Sequence, residues 1–396
     1  MGEFYRASYI HLILFITIHS GEVLTSNKIL PIKVALVLAH LPHYRYGLFK
    51  ELEKRAPQTT FIAGDTSKAG NIASIPVGTL NKELKVRNFW LGRVLWQSGV
   101  NAELRRTKPD AVIFTGDPSY LSTWTNALIC RLRGRRVLFW TIGWHRPERG
   151  MRRLVRLMFY RLANELLIYG DYGRDIGIST GFPENRINVV YNSYESLADT
   201  SAESLPSKNL PSGGRPVVGA VIRLSPNKGL EEVVKSVAHL KKDYGIDADC
   251  LIVGEGPARP DLEAIASRLG VNLFLPGAFY SQEALKEVYG KMTVTVVPKA
   301  AGLTVLQSLA AGTPVVTVSD PFQQMPEFEA IQDGVTGTLV PQADALSIAQ
   351  ACSNWIQRMD EELDQIEANC QVTIKDKWSA EAQANRFIEV LRRSAK

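Results

Sequence analysis

The sequence has few cysteines and histidines, and neither residue type occurs at the spacing of a metal centre. Four cysteines occur in 396 residues, and no two of them form a CxxC pair. The six histidines also lack metal-ligand spacing. We therefore expect neither a metal site nor a disulfide framework in this protein.

Two common nucleotide-binding motifs are also absent. The runs "ALVLAHLPHYRYG" and "GAVIRLSPNKG" lack the G-x-G-x-x-G of a dinucleotide-binding dehydrogenase, and the chain contains no Walker motif. The chain does contain an Asp-x-Asp, a pattern that can bind a metal ion, at 247–249. It precedes a strand-like run, which would place it at the amino end of a sheet, away from the edge where ligands bind. These absences exclude the usual dehydrogenase and P-loop classes.

Acidic residues are almost missing from residues 131–161, which contain ten arginines and one acid, Glu148. Apolar residues and arginines alternate there at helical spacing, as in a basic amphipathic helix. Such a helix suits an anionic membrane surface, or a core-facing helix with a solvated back. No RNA-binding motif or interleaved aromatic platform accompanies it, so we do not expect a nucleic-acid partner.

The N-terminal apolar run "YIHLILFITIHSG" is too short to span a bilayer comfortably. It belongs to an N-terminal extension, residues 1–32, with two interpretations: a signal or membrane anchor, or an over-extended start of the reading frame. In the second case initiation would need a non-standard codon, because the next methionine after Met1 is Met151.

Short apolar runs alternate with helix-like stretches in both halves of the chain, a pattern typical of parallel sheets with crossover helices. A Ser-, Pro- and Gly-rich stretch separates the halves. The prediction is an α/β protein with two Rossmann-like domains facing a cleft. The predicted segments are the extension 1–32, a first domain 33–195, a linker 196–214, a second domain 215–376, and a C-terminal helix 377–396 that crosses back to the first domain.

Ligands of open parallel sheets bind beyond the carboxyl ends of the strands, so the loops there are the candidate site. In the second half these loops are "RLSPNKG" (223–229), "GEGP" (254–257), "PGAFYS" (276–281) and the start of "PKAAGLTVLQSLAAGTPVV" (298–316). They combine turn residues that allow close backbone approach with cations suited to a diphosphate.

Together, "RLSPNKGLEE", "LIVGEGPARPDLEAIASRLG", "VNLFLPGAF" and "GLTVLQSLAAGTPVV" resemble the nucleotide-binding half of the retaining GT-B glycosyltransferases of family four. The resemblance covers about residues 215–345 and is weaker in the first half. It implies a hexosyltransferase-type enzyme that transfers a sugar from a nucleotide sugar with retained configuration. It also implies that no metal or other cofactor is needed.

The resemblance assigns roles to particular residues. Arg223 and Lys228 match the family's diphosphate-binding pair, and His145 falls where the family places a cleft residue near the donor sugar. Donor binding is expected from Gly254, Gly256, Pro276, Phe279, Lys299, Gly302, Leu303, Thr304 and Gln307. Acceptor binding is expected from His40, His43, Tyr44 and Arg45 in the loop after the first strand.

Positions 299 and 307 depart from the family, which usually carries a glutamate at each. In the family the first glutamate contacts hydroxyls of the donor sugar and the second contacts the ribose. Gln307 can still accept a hydrogen bond from a ribose hydroxyl, whereas Lys299 reverses the charge. One hypothesis is an active enzyme that uses the backbone N–H groups of residues 302–304. The alternative is a catalytically silent GT-B scaffold or a sugar-nucleotide-binding protein.

The predicted partners are a nucleotide sugar and an acceptor that is a lipid-linked glycan or a polysaccharide, as in cell-envelope biosynthesis. An anionic membrane surface is a further predicted partner, through residues 131–161. We accordingly expect a cytoplasmic protein located peripherally at the inner face of the membrane.

Overall fold

The computed structural model of the protein describes residues 29–64, 72–195 and 210–393. The N-terminal apolar run lies outside the described residues, and so does most of the predicted linker, residues 196–209.

In the described part of the chain, seven parallel strands form the first sheet, in the order β3-β2-β1-β6-β7-β8-β9. A separate antiparallel hairpin, β4 with β5, lies beside it. The strands are β1 (Val34–Leu38), β2 (Thr59–Ala63), β3 (Glu83–Lys85), β4 (Arg87–Leu91), β5 (Val94–Ser98), β6 (Ala111–Thr115), β7 (Arg136–Thr141), β8 (Glu165–Ile168) and β9 (Ile187–Val189). Every residue of β1 is buried, as expected for a strand covered by helices on both faces.

The helices of the first domain connect and cover these strands. They are α1 (Tyr46–Arg55), α2 (Val100–Thr107), α3 (Leu121–Leu132), α4 (Gly150–Arg161) and α5 (Asp171–Ser179). Strands β2 and β3 and the hairpin were not among the strands that the apolar pattern predicted, because β2 begins with two threonines, β3 has only three residues and the hairpin is partly exposed.

A second sheet of six parallel strands lies within residues 210–393, in the order β12-β11-β10-β13-β14-β15. Its strands are β10 (Val217–Val221), β11 (Asp249–Val253), β12 (Leu273–Phe274), β13 (Val294–Val297), β14 (Val315–Val318) and β15 (Gly337–Val340). Its helices are α6 (Leu230–Tyr244), α7 (Arg259–Leu269), α8 (Gln282–Gly290), α9 (Leu303–Ala310) and α10 (Ala345–Thr373).

The last helix, α11 (Ala380–Arg392), follows a π-helical segment and packs against the first domain. Phe387 is fully buried there, with its ring 5.2 Å from the ring of Trp140. The buried Gln383 side chain donates to the carbonyl of Tyr191 at 2.8 Å and accepts from the hydroxyl of Ser193 at 2.7 Å. The C-terminal helix therefore contributes to the core of the N-terminal domain.

Helix α4 exposes most of its apolar side chains. Its core contacts come from Leu157, Phe159 and Tyr160. By contrast, the exposed fractions of its outward apolar side chains are 72% for Met151, 50% for Leu154, 40% for Val155 and 53% for Met158. The interpretation as a core-facing helix with only a solvated polar back is therefore wrong for these four positions.

Candidate functional site

A cavity of about 890 Å³ lies between the two sheets, at the carboxyl ends of their strands. The N-terminal domain contributes the loops after β1, β6, β7, β8 and β9, and the C-terminal domain contributes those after β10, β12, β13 and β14. Parallel strands bring these loops to one edge of each sheet, so two facing sheets enclose a cleft. The cavity is large enough for a nucleotide sugar.

Most of the residues predicted for the site lie on the wall of this cavity. They are Arg223, Lys228, His145, Phe279, Gly302, Leu303, Thr304, Gln307, His43, Tyr44 and Arg45. Five others do not line the cavity in the described structure, and their predicted contacts with a ligand stay predictions. These are His40, Gly254, Gly256, Pro276 and Lys299.

Gly254 and Gly256 allow two backbone segments to pack closely behind the site. Their φ angles are +151° and +156°, and a Cβ atom would overlap the carbonyl oxygen of Ile222 at the first position and that of Leu224 at the second. Glycine is therefore required for the loop after β11 to approach the loop that carries Arg223.

Lys299 is exposed, and its side chain passes over Gly229, 3.9 Å from where a Cβ of that glycine would lie. The neighbouring Ala300 lines the cavity instead, with a φ angle of +54°. Its N–H donates to the carbonyl of Gln323 at 2.7 Å, which helps to hold this strained conformation.

Two cations and a helix terminus converge on the C-terminal side of the cavity. Arg223 follows β10 and is exposed, while Lys228 ends the 3-10 turn Pro226–Lys228. Partial burial lowers the pKa of Lys228. Helix α9 begins next to them at Leu303, where the first backbone N–H groups of a helix point outward and attract anions. This arrangement is suited to a diphosphate.

Gln307 lies one turn further along α9, and its Oε1 accepts a hydrogen bond of 3.2 Å from the hydroxyl of Tyr289. Tyr289 is almost completely buried, which raises the pKa of its hydroxyl. Thr304 donates its hydroxyl to the carbonyl of Val221 at 3.0 Å and so ties α9 to the end of β10. These bonds fix the helix that lines the donor side of the cavity.

On the N-terminal side, Arg45 is held by aromatic residues that the sequence did not identify. Its guanidinium carbon lies 3.8 Å from the ring centre of Trp140, and its Nη2 donates to the Tyr169 hydroxyl at 2.7 Å. His145 lies nearby on the wall, and burial with repulsion from Arg146 and Arg156 lowers its pKa.

Asn192 and Glu327 form a contact between the domains that the sequence did not predict. Asn192 Nδ2 donates to Glu327 Oε1 at 2.6 Å, and both residues are buried on the cavity wall. Asn192 follows the run "INVVY" at the end of β9, so the strand-end rule would have included it. Glu327 lies in a loop with no motif and could not be found this way.

Glu329 makes a second contact between the domains. Its carboxylate accepts the backbone N–H groups of Asp171 and Tyr172, at 2.7 and 2.9 Å, at the start of α5. Gly170 permits this approach, because a Cβ there would overlap the carboxylate. Burial raises the pKa of Glu329 to about 7, although the two N–H groups act in the opposite direction.

The raised pKa of Glu329 predicts a pH effect on stability. The folded protein binds this proton between the ordinary pKa of 4.5 and about 7, whereas the unfolded chain does not, so stability falls as the pH rises through that window. The free energy of unfolding that wild type loses across this window is at most about 3 kcal/mol. We expect Glu329→Gln to reduce the difference in unfolding free energy between pH 5 and pH 8. Denaturant titrations at both pH values measure it, with exposed Glu361→Gln as control, and an unchanged difference would contradict the assignment.

The described residues contain neither a cluster of metal ligands nor a membrane-spanning helix. No group of three or more His, Cys, Asp or Glu side chains within 29–64, 72–195 and 210–393 is placed to hold a metal ion. Over the same ranges, no helix has the length and apolar character required to cross a bilayer.

The chain matches a family of known enzymes through its second half. Residues 201–392 match the model of the family described as glycosyl transferases group 1. A 2-deoxystreptamine glucosyltransferase of Streptomyces kanamyceticus is 34% identical over 110 residues, 27% of this chain and 28% of that protein. A GDP-mannose-dependent alpha-(1-6)-phosphatidylinositol monomannoside mannosyltransferase of Mycolicibacterium smegmatis is 30% identical over 158 residues, 36% of this chain and 39% of that protein. The chain thus spans less than half the length of these two curated relatives.

The fold is similar to that of solved structures over nearly the whole chain. The Anabaena protein Alr3699/HepE, crystallised with UDP, superposes with a TM-score of 0.70 at 15% identity, over 91% of this chain and 100% of that one. At this identity the comparison shows a shared fold, and it confirms the predicted GT-B architecture of two Rossmann-like domains facing a cleft.

Proposed function

We propose that this chain transfers a hexose from a nucleotide sugar with retention of configuration, because residues 201–392 match the glycosyl transferases group 1 and the fold is similar to GT-B structures. In this proposal the donor binds to the C-terminal domain and the acceptor binds against the loop after β1. The acceptor is a lipid-linked glycan or a polysaccharide.

One observation carries this proposal. Arg223, Lys228 and the start of α9 come together on one wall of the cavity, opposite Arg45 and His145 of the other domain. Much of the activation free energy of sugar transfer comes from the build-up of negative charge on the β-phosphate as the anomeric bond breaks. Preorganised cations and N–H groups stabilise such a charge at the moment it develops. The same groups make a metal ion unnecessary in the proposed reaction.

The departure at position 299 does not remove this machinery. Lys299 is exposed and does not line the cavity, which supports the proposal that its positive charge leaves room for the donor sugar. The backbone N–H groups of Leu303 and Thr304 remain available at the start of α9. These features favour the active enzyme over the silent scaffold.

Ligand-induced stabilisation tests the proposal. UDP-, GDP- and dTDP-sugars are added to the full chain, and the unfolding temperature is measured. A ligand present at about 100 times its dissociation constant should raise stability by ~2.7 kcal/mol. We expect one nucleotide series to give this shift and to release nucleoside diphosphate on incubation. Binding without release would favour the sugar-nucleotide-binding protein, and no shift with any donor would contradict the proposed activity and favour the silent scaffold.

The outward surface of α4 supports a second part of the proposal, docking to an anionic membrane. Four apolar side chains are exposed along it at helical spacing: Met151, Leu154, Val155 and Met158. Exposed arginines accompany them at the start of α4 and along it, at Arg149, Arg152 and Arg161, and two more lie at the end of α3 and in the turn after it, at Arg131 and Arg133. An apolar strip bordered by cations fits the interface of an anionic bilayer, which would deliver a lipid-linked acceptor to the nearby cleft.

Vesicle flotation tests the docking surface. We expect the protein to bind phosphatidylcholine vesicles only when they contain phosphatidylglycerol, and to release as salt screens the arginines. Replacing Met151, Leu154 and Met158 with serine should weaken binding at least about tenfold, because their apolar area no longer enters the interface. The matched control replaces three exposed apolar residues of α10: Leu346, Leu363 and Val372. Equal binding of both triple variants would show that α4 is not the docking surface.

A further inference from the structure

Glu327 has a carboxylate oxygen that the protein itself leaves unsatisfied. The residue is 3% exposed and lies on the cavity wall in the 3-10 turn Pro326–Ala330. Its Oε1 accepts from Asn192, but its Oε2 is closed off from water and has no hydrogen-bond partner among the described residues. A buried acceptor without a donor is costly, so its retention points to a partner that is supplied from outside.

The corner beside this oxygen is kept open by Gly302. A Cβ at position 302 would lie 3.7 Å from Glu327 Oε2 and 3.4 Å from Cγ of Met325. Because glycine has no side chain, a small displacement of the neighbouring Met325 side chain would admit a polar group of a ligand to Oε2, which is closed to water without that displacement. The first turn of α9 starts at the same corner, so a group attached to a phosphate held there would lie beside Glu327.

Other cavity-lining residues have unsatisfied polar atoms of both kinds. Asn192 Oδ1 is an acceptor, and Arg45 Nε and Trp140 Nε1 are donors, and none has a hydrogen-bond partner within the described ranges. A hydroxyl group both donates and accepts, whereas an ionised phosphate or carboxylate has no proton for an acceptor such as Oε2. The set therefore fits a ligand part that is rich in hydroxyl groups.

We propose that Glu327 binds the sugar of the nucleotide-sugar donor by accepting a hydrogen bond from a sugar hydroxyl through Oε2. This inference rests on the proposed function and adds a residue that determines recognition of the sugar. It supplies, from the loop after β14, the carboxylate that position 299 does not provide. Because Oε1 is bonded to Asn192 of the other domain, the same residue joins sugar binding to the contact between the domains.

Glu327→Gln tests the role with little change of shape. The variant can keep the bond from Asn192 to Oε1, but it replaces the acceptor Oε2 by an amide donor. Calorimetry on the full chain gives dissociation constants for UDP and UDP-glucose, and for GDP and GDP-mannose. We expect binding of the sugar nucleotide to weaken about 10-fold, as for loss of a buried hydrogen bond. The dissociation constant of the matching nucleoside diphosphate should change less than about twofold, since this ligand lacks the sugar.

Glu329→Gln is the matched control, because Glu329 is also a carboxylate between the domains but lies off the wall of the main cavity. If the two variants only loosened the contact between the domains, each would weaken binding of the nucleotide and of the sugar nucleotide equally. Gly302→Ala is a second test, and it leaves Glu327 intact. The alanine methyl group fills the corner beside Oε2, so this variant should show the same selective loss of sugar-nucleotide binding.

Two results would overturn the role of Glu327, and they differ from failure of the proposed function. If Glu327→Gln weakened binding of both ligands equally, the role of the residue would be structural. If binding of both were unchanged, Glu327 would not be part of the sugar subsite. A wild-type protein that binds no nucleoside diphosphate at all would instead overturn the proposed function, and the role of Glu327 with it.

Discussion

Replacing Arg223 or Lys228 by alanine is expected to lower turnover about 100- to 1000-fold while leaving the fold nearly as stable as before. Both residues line the cavity beside the start of α9, where charge would develop on the leaving phosphate. Arg223 is exposed and Lys228 is only partly buried, so their contribution to folding is small. Steady-state kinetics with the donor found by ligand stabilisation, together with thermal unfolding, measure the two effects separately.

Asn227→Ala provides the matched control for this pair. Asn227 lies in the same 3-10 turn and is exposed, but it is not on the cavity wall. Its replacement should leave turnover within about twofold, because it removes no group from the site of charge development. Near-normal turnover in both cation variants would show that the diphosphate binds elsewhere.

Replacing Phe387 by alanine should lower the free energy of unfolding by about 3 to 5 kcal/mol. Its ring is fully buried against Trp140, in the same apolar cluster as Leu48, Phe49 and Leu52 of α1. The deletion leaves a cavity between α11 and the first sheet that the surrounding side chains fill only in part. Urea denaturation should show an earlier transition of the N-terminal domain.

The control for Phe387 is Glu389→Ala on the same helix. Glu389 is 65% exposed and pairs only with Arg393 among the ion pairs of the described residues. Exposed ion pairs of this kind contribute little, so the change should stay within about 0.5 kcal/mol. A shift below about 1 kcal/mol for Phe387→Ala would mean that α11 does not stabilise the N-terminal domain.

Local patterns were sufficient for the architecture. Continuous apolar runs such as "KVALVLAHL" and "CLIVG" alternate with helical spacing in both halves, and this alone predicts two parallel sheets. Because ligand loops follow strands directly, the same pattern identified Arg223, Lys228 and the start of α9, which the structure brings together. Strand β2 and the hairpin were missed, since β2 begins with two threonines and the hairpin strands are partly exposed, so neither forms a continuous apolar run.

The sequence by itself therefore determined the fold class and the loops that form the cleft, whereas the tertiary structure decided which side chains enter it. Lys299 lies outside the cavity wall although its place in the chain suggested a site residue. Glu327 meets Asn192 across 135 positions, and no local pattern encodes such a contact. Likewise, periodicity defines the apolar face of α4 but not whether another element covers it. Burial depends on what packs from elsewhere in the chain, so only the folded arrangement settles these points.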